Sequence, residues 1–368
     1  MSVTEGTPAG HGELRPTRVG WFELFYDLVV VAAIIQGSNV FAEEPSFANG
    51  FWLAITLVIM FVLWILTVLT FNVWRAEWPL GRLLVLVQML ALIVSCLAIS
   101  RDGGLSDAVG FLFLSVAFLS VTILHLLIAR SDPALARPAR MVAWSTGIAA
   151  TVFAGGSLLA QTSGASHSIG SGIALAIGLA CVVIPVMVGV IPALVRTVAL
   201  QFEHLEERLG QLVIIVLGES FVKLVLSLGS LNALPDPIFF VLTFVVVYCI
   251  WTLYFRNVLP AGMPRTLPRL QGWVATHWLL MFGVTGTASA LAALTVLPLG
   301  EREAPIGGVR TVLPLAYVML AFVMLTALAA SRQRSVLIVH AIATGVLVAL
   351  VIVGLVSGRS GTIALAST

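Results

Sequence analysis

An all-α, polytopic membrane bundle is the fold class that this 368-residue sequence predicts, and three observations predict it. Hydrophobic residues make up 60% of the chain and charged residues only 10%, with a mean hydropathy of +1.08. Soluble domains stand at about 45–50% and 25%. Apolar runs of the length that crosses about 30 Å of hydrocarbon recur from end to end, and Lys and Arg collect in alternate loops between them. A net charge of +2, with no Lys/Arg block able to grip a phosphate backbone, argues against a nucleic-acid partner.

The elements follow in order. Residues 1–20 hold Gly, Pro, Thr and Arg without the apolar core of a cleavable signal, so they read as a short cytosolic tail, and the first helix itself directs the chain to the membrane. Apolar runs then fall at about 21–42, 51–73, 83–100, 108–129, 140–160, 172–195, 210–229, 237–259, 272–298, 311–330 and 334–356. That gives about eleven spans, with ten or twelve allowed because Gly, Ala and Thr dilute the last third, where Pro298 and Pro314 bracket a polar loop. Residues 359–368 are a C-terminal tail.

Orientation follows from the basic residues. With the N-terminus inside, one side holds Arg15, Arg18, Arg75, Arg82, Arg130, Arg137, Arg140, Arg196, Arg208, Arg256, Arg265, Arg269, Arg332 and Arg334, and the other only Arg101, Arg302, Arg310 and Arg359. This predicts a cytoplasmic N-terminus and an outer C-terminus. Lys223, the nineteenth cation, belongs to neither side.

The segment 21–31, WFELFYDLVVV, aligns without gaps on 205–215, LEERLGQLVII, at an offset of half the chain. Such a repeat would divide the protein into a first membrane half, 21–195, with about six helices, and a second, 196–358, with about five.

Ionisable groups inside a span cost at least ~2.5–3.5 kcal/mol each on insertion scales, which makes the few that remain the best guide to function. Glu23 and Asp27 are four apart, on one face of the first helix, with Ser38 further along the same stripe. Glu23, in the first turn, is accounted for by the helix dipole. Asp27 is a turn deeper and must be either protonated or matched by a cation, the condition expected of a proton-coupling carboxylate.

In the seventh span Glu219 and Lys223 lie near the middle of the apolar run in the Glu-before-Lys order that favours pairing, with Arg208 and Ser227 on the same face. Lys223 is the only lysine in the chain. The pair is read either as a closed ion pair that fixes helix register or as a working pair, with Lys223 a counter-charge for Asp27 or for an anionic substrate and Glu219 trading partners during transport.

His125, His277 and His340 stand singly and read as satisfied core residues. Cys96, Cys181 and Cys249 lie apart in apolar runs and read as small buried hydrophobes. No metal or cofactor is expected. Pro185 and Pro192 invite a kink in the sixth span, and Gly283, Gly286, Ala288 and Ala292 offer a close-packing surface in the ninth. GxSxG, HExxH, Walker and GxGxxG motifs are missing, so no enzyme is expected.

Two stretches carry a family resemblance. Glu23-Leu24-Phe25-Tyr26-Asp27-Leu28 resembles the ELF-[FY]-DL signature of the bacterial low-temperature-requirement A (LtrA) family. His204-Leu205-Glu206-Glu207-Arg208-Leu209-Gly210, followed by Leu217-Gly218-Glu219-Ser220, resembles its H-x-x-ER-x-G…LGES signature. Val30 and Leu209 stand where the family often has Phe, so the departures lie at packing positions. The resemblance implies a multi-span bacterial inner-membrane protein of ten to twelve helices, tied to growth in the cold and suspected of transport. It marks Glu23, Asp27, His204, Glu207, Arg208 and Glu219 as the polar positions of the family. Lys223 lies outside the signature and is singled out by physics alone.

The expected function is therefore an ion- or proton-coupled secondary transporter, with the bilayer and a small ion or small molecule as its partners. A channel with a polar pore lined by the first and seventh helices, and a structural or assembly protein of the membrane, are the other readings. The residues specify neither substrate nor oligomeric state.

Overall fold

The computed structural model describes residues 20–43, 47–73, 79–99, 104–163, 169–197, 201–229, 237–296, 305–331 and 333–366. Among them no strand occurs. The helices are α1 (Trp21–Glu43), α2 (Phe47–Val73), α3 (Pro79–Ile99), α4 (Gly104–Ser131), α5 (Ala136–Ser163), α6 (Ile169–Pro185) and α7 (Ile191–Thr197). They continue with α8 (Phe202–Gly229), α9 (Pro237–Leu253), α10 (Leu267–Val296), α11 (Pro305–Leu328) and α12 (Arg334–Ala366).

A π turn, Val186–Val190, joins α6 to α7 into one span, and a second, Tyr254–Val258, extends α9. All eleven apolar runs are thus helical. Ten helices are long and apolar enough to cross a membrane, and the described part of α11, Val312–Leu328, is a shorter apolar helix.

Local chemistry explains the ends. Pro79, Pro237 and Pro305 open α3, α9 and α11, where a missing N–H costs nothing. Asp132 Oδ1 accepts the Ala134 N–H at 2.9 Å ahead of α5. Gly262, at φ +77°, turns the chain after α9 and accepts the Ala330 N–H at 2.9 Å, a backbone conformation that favours glycine.

The kink expected at Pro185 is the π turn that follows it, and the Met187 carbonyl accepts a hydrogen bond from Gln271 Nε2 of α10. The small-residue surface of α10 is used as expected. A Cβ on Gly283 would come within 2.8 Å of Val318, and one on Gly286 within 3.1 Å of Pro314, so α10 and α11 touch nearly backbone to backbone.

Large apolar side chains cover the outside, among them Leu83, Leu86 and Leu90 on α3 and Ile338, Ile342 and Val346 on α12, and polar side chains are held inside. In lipid that distribution satisfies both surfaces. The interior is formed by α1, α2, α8 and α10, which pack against one another, while α3–α4–α5–α6 and α10–α11–α12 wrap outward in sequence. The contacts of α8 with α10, α10 with α11 and α11 with α12 follow the same order as those of α1 with α3, α3 with α4 and α4 with α5.

Two boundaries move by two helical turns or more relative to the hydropathy runs. α8 begins at Phe202 instead of about 210, because its first turns carry polar and charged side chains that hydropathy discards, although the fold buries two of them, His204 and Arg208. α12 continues to Ala366, through most of the segment expected as a tail.

Candidate functional site

Glu23, Asp27, Ser38, His204, Arg208, Glu219 and Lys223 fall on a seam where α1, α8 and α10 run side by side. Its direction can be read from sequence separations. Asp27 meets Arg208 and Ser38 meets Glu219, each pair 181 residues apart, so α1 and α8 are parallel. Thr285 meets Glu219 and Ser289 meets Lys223, each 66 residues apart, so α10 is parallel to both. Parallel first, seventh and ninth spans are what alternating crossings require.

The seam carries two tiers. Eleven residues separate Asp27 from Ser38 and Arg208 from Glu219, which is roughly 16 Å along a helix at ~1.5 Å per residue.

The first tier lies near the N-terminal ends of α1 and α8. Arg208 Nη2 donates to Asp27 Oδ1 at 2.7 Å, and both side chains are 0% exposed. Trp64 of α2 donates its Nε1–H to the same oxygen at 2.7 Å, and its ring lies 6.0 Å from the Arg208 guanidinium carbon. Arg208 Nη2 also reaches the Glu23 carbonyl at 3.3 Å. Glu23 Oε2 lies 3.2 Å from His204 Nε2 and 3.6 Å from Arg208 Nε. Asn72 of α2 closes the tier, donating to the Gln201 carbonyl at 2.9 Å and lying 3.4 Å from His204 Nδ1. Asp27 Oδ2 and Arg208 Nη1 remain buried without a hydrogen-bond partner among the described residues.

The second tier lies in the C-terminal half of α8. Glu219 Oε1 accepts from Ser38 Oγ of α1 at 3.0 Å and lies 3.5 Å from Lys223 Nζ, while Oε2 accepts from Thr285 Oγ1 of α10 at 3.3 Å. Lys223 Nζ donates to Ser289 Oγ at 2.6 Å, and Ser289 Oγ in turn donates to the Thr285 carbonyl at 2.9 Å. Glu219 is 1% and Lys223 4% exposed. Because α8 starts earlier than expected, this pair sits past the helix midpoint and not at the centre of the span.

Several expectations need correction. Lys223 is not the counter-charge of Asp27; Arg208 is, on the same helix but in the other tier. Arg208, assigned above to a cytoplasmic loop, is fully buried, which lowers the count on that side from fourteen to thirteen and leaves the asymmetry intact. Glu23 does more than complement a helix dipole, since it faces both His204 and Arg208. Glu207 points outward and pairs along its own helix with Gln211 Nε2 at 3.4 Å. The side chain of Ser227 lies outside the described residues.

Sequence reasoning missed Trp64, Asn72, Thr285 and Ser289. Trp64, inside the apolar run of α2, gave the one usable signal, because a buried indole N–H must find an acceptor. The three histidines are satisfied internally, as expected: His125 between the Val121 carbonyl and Thr70, His277 between the Trp273 carbonyl and Tyr254, and His340 against Thr326. Of the three cysteines only Cys96 is buried as expected; Cys181 is half-buried, and Cys249 is exposed on the outer, lipid-compatible face of α9.

The profile of the bacterial low temperature requirement A protein (LtrA) family matches residues 18–367, nearly the whole chain, and so takes in both tiers. The chain belongs to the LtrA family. No curated protein and no solved structure matches it. Both stretches that resemble LtrA signatures, around Asp27 and from His204 to Ser220, lie on the α1–α8 seam. In this LtrA protein they are therefore not two separate sites but the two sides of one contact.

Proposed function

We propose that this LtrA protein is an ion- or proton-coupled secondary transporter whose coupling groups are Asp27, Glu219 and Lys223. The observation that carries the reading is the pair of buried ionic tiers on one parallel seam, since ionisable groups held inside a membrane bundle ordinarily mark substrate or proton paths. In the first tier Asp27 Oδ2 takes and releases a proton, while Arg208 compensates the charge of the ionised carboxylate and Trp64 holds Oδ1 in place. In the second, Glu219 exchanges Lys223 for a transported cation, and the hydroxyls of Ser38, Thr285 and Ser289 supply oxygens to whichever cation is present. The arginine asymmetry supports a placement in a bacterial inner membrane with the N-terminal ends of α1 and α8 toward the cytoplasm.

The test is proton flux in liposomes containing the purified protein under an imposed pH gradient and voltage. Asp27→Asn and Glu219→Gln are expected each to abolish the flux that the wild type shows. A silent wild type that is folded by thermal melting removes the proton from the mechanism.

A structural role is the second reading, favoured by one observation: Asp27, Arg208 and Trp64 come from three helices and staple α1, α2 and α8 together. Under that reading the variants change stability, and no ion moves through any of the proteins. A channel, in contrast, gives flux without saturation or counterflow.

A further inference from the structure

A second feature lies outside the seam, on the outer surface where α5 packs on α6. There a groove of about 560 Å³ is lined by Arg137, Arg140, Trp144 and Ile148 of α5 together with Cys181 and Pro185 of α6. That volume lies within the range of small-molecule clefts. The lining is ordered along the helix. Arg140, Trp144 and Ile148 succeed one another at four-residue steps, one stripe that passes from guanidinium to indole to aliphatic over two turns. All three are exposed, with Trp144 at 73% and Ile148 at 49%. The same order of chemistry runs down a phospholipid, from phosphate through the glycerol interface to the acyl chain.

Charge identifies the headgroup. No Asp or Glu occurs in the sequence between Asp132 and Glu203. Asp132 is spent locally, its carboxylate accepting the Ala134 N–H. Among the described residues neither Arg137 nor Arg140 forms an ion pair; Arg140 Nε donates to the Ala136 carbonyl, which fixes the side chain over the first turn of α5. The end of the groove thus carries two cations with no internal anion. Met141 of α5, which also lines the groove, packs on Gly189 of the π turn. The adjoining outward face of α6 and its π turn is aliphatic, with Ile184 and Val188 at 60% and 75% exposure.

We propose that this groove is a binding site for an anionic glycerophospholipid. Its phosphate sits on Arg137 and Arg140, its glycerol region lies against Trp144, and one acyl chain runs over Ile148, Cys181 and Pro185. The site is independent of the transport reading, because none of its residues belongs to either tier.

Native mass spectrometry of the full-length protein in detergent, titrated with phosphatidylglycerol or with phosphatidylcholine of the same acyl chains, tests it. The wild type is expected to retain phosphatidylglycerol preferentially. Arg137→Gln/Arg140→Gln is expected to weaken that retention roughly thirtyfold, about 2 kcal/mol at ~1 kcal/mol per arginine, and to leave phosphatidylcholine unchanged. Arg82→Gln/Arg334→Gln removes the same charge from exposed arginines elsewhere and is expected to bind as the wild type does. Excess inorganic phosphate should not displace the lipid if the acyl chain contributes. Equal retention of both lipids, an equal loss in the two double variants, or displacement by inorganic phosphate would each overturn the proposal.

Discussion

The two tiers of the seam hold the same kinds of group in opposite arrangements. In the first, the ion pair crosses between helices, Asp27 on α1 and Arg208 on α8, and Trp64 brings in α2. In the second, both ions belong to α8, and only neutral hydroxyls reach across from α1 and α10. Separating α1 from α8 at the first tier exposes two unlike charges to hydrocarbon. At the second the same movement breaks one hydroxyl contact and leaves the pair together. The chemistry therefore builds a clasp at one end of the seam and a looser contact about 16 Å away, and a transporter that moves α1 against α8 would hinge at the clasp and open at the hydroxyls.

The largest expected effect breaks the clasp. Arg208→Met leaves Asp27 buried with Trp64 as its one remaining donor, and removing one partner of a buried pair costs roughly 3–5 kcal/mol. Thermal melting in detergent should show a severe loss of folded protein. Asp27→Asn/Arg208→Met, which removes both charges, should recover most of it. If the single and double variants melt alike, the clasp does not hold the helices.

The second prediction concerns Lys223. Lys223→Met strands the Glu219 carboxylate, although Ser38 and Thr285 still donate to it, so the loss should be smaller than at Arg208, about 1–3 kcal/mol. The double change Glu219→Gln/Lys223→Met should again be the more stable of the two. Proton flux should vanish in both. Loss of flux without loss of fold separates a working pair from one that merely packs. If instead the two variants are equally stable and equally active, Glu219 and Lys223 are not coupled.

How much of this could be read in the sequence depends on which forces act within one helix and which between helices. The succession of apolar helices was legible because lipid imposes a length and an apolar composition on each helix separately. The Glu219–Lys223 pair was legible because four-residue spacing puts both groups on one face of one helix. Asp27 and Arg208 were each visible, but their pairing was not. Spacing along α1 says which way Asp27 faces and nothing about which residue of α8 stands opposite. Lys223, the one lysine, drew attention away from an arginine that hydropathy had placed in a loop. Thr285 and Ser289 were lost for another reason: hydroxyls are common in membrane helices, where they bond to their own backbone, as Ser289 does to the Thr285 carbonyl.

A finer cut tests how the clasp is made. Trp64→Phe keeps the ring under Arg208 but deletes the N–H that reaches Asp27 Oδ1 at 2.7 Å. Hydrogen bonds to charged groups are worth about 1.5–3 kcal/mol, so the melting temperature should fall, though less than in Arg208→Met. If the role of Trp64 were packing alone, Trp64→Phe would be nearly neutral and Trp64→Leu markedly worse. The two variants together divide the contribution of the indole between its N–H and its face.

The smallest effect falls on the looser contact and says the most about function. Ser38→Ala removes one donor to Glu219 Oε1, which Lys223 still approaches at 3.5 Å. Interhelical hydrogen bonds of this kind in membranes average about 0.6 kcal/mol, so melting should hardly change. Transport should change more, because losing the one hydroxyl from α1 alters how readily Glu219 exchanges Lys223 for another cation. Its signature is a shift in the concentration dependence of flux, with the maximal rate and the fold little altered. A hydroxyl that served packing alone would leave that dependence where it is, and the α1–α8 contact at this tier would then be a spacer between helices and not part of a cation path.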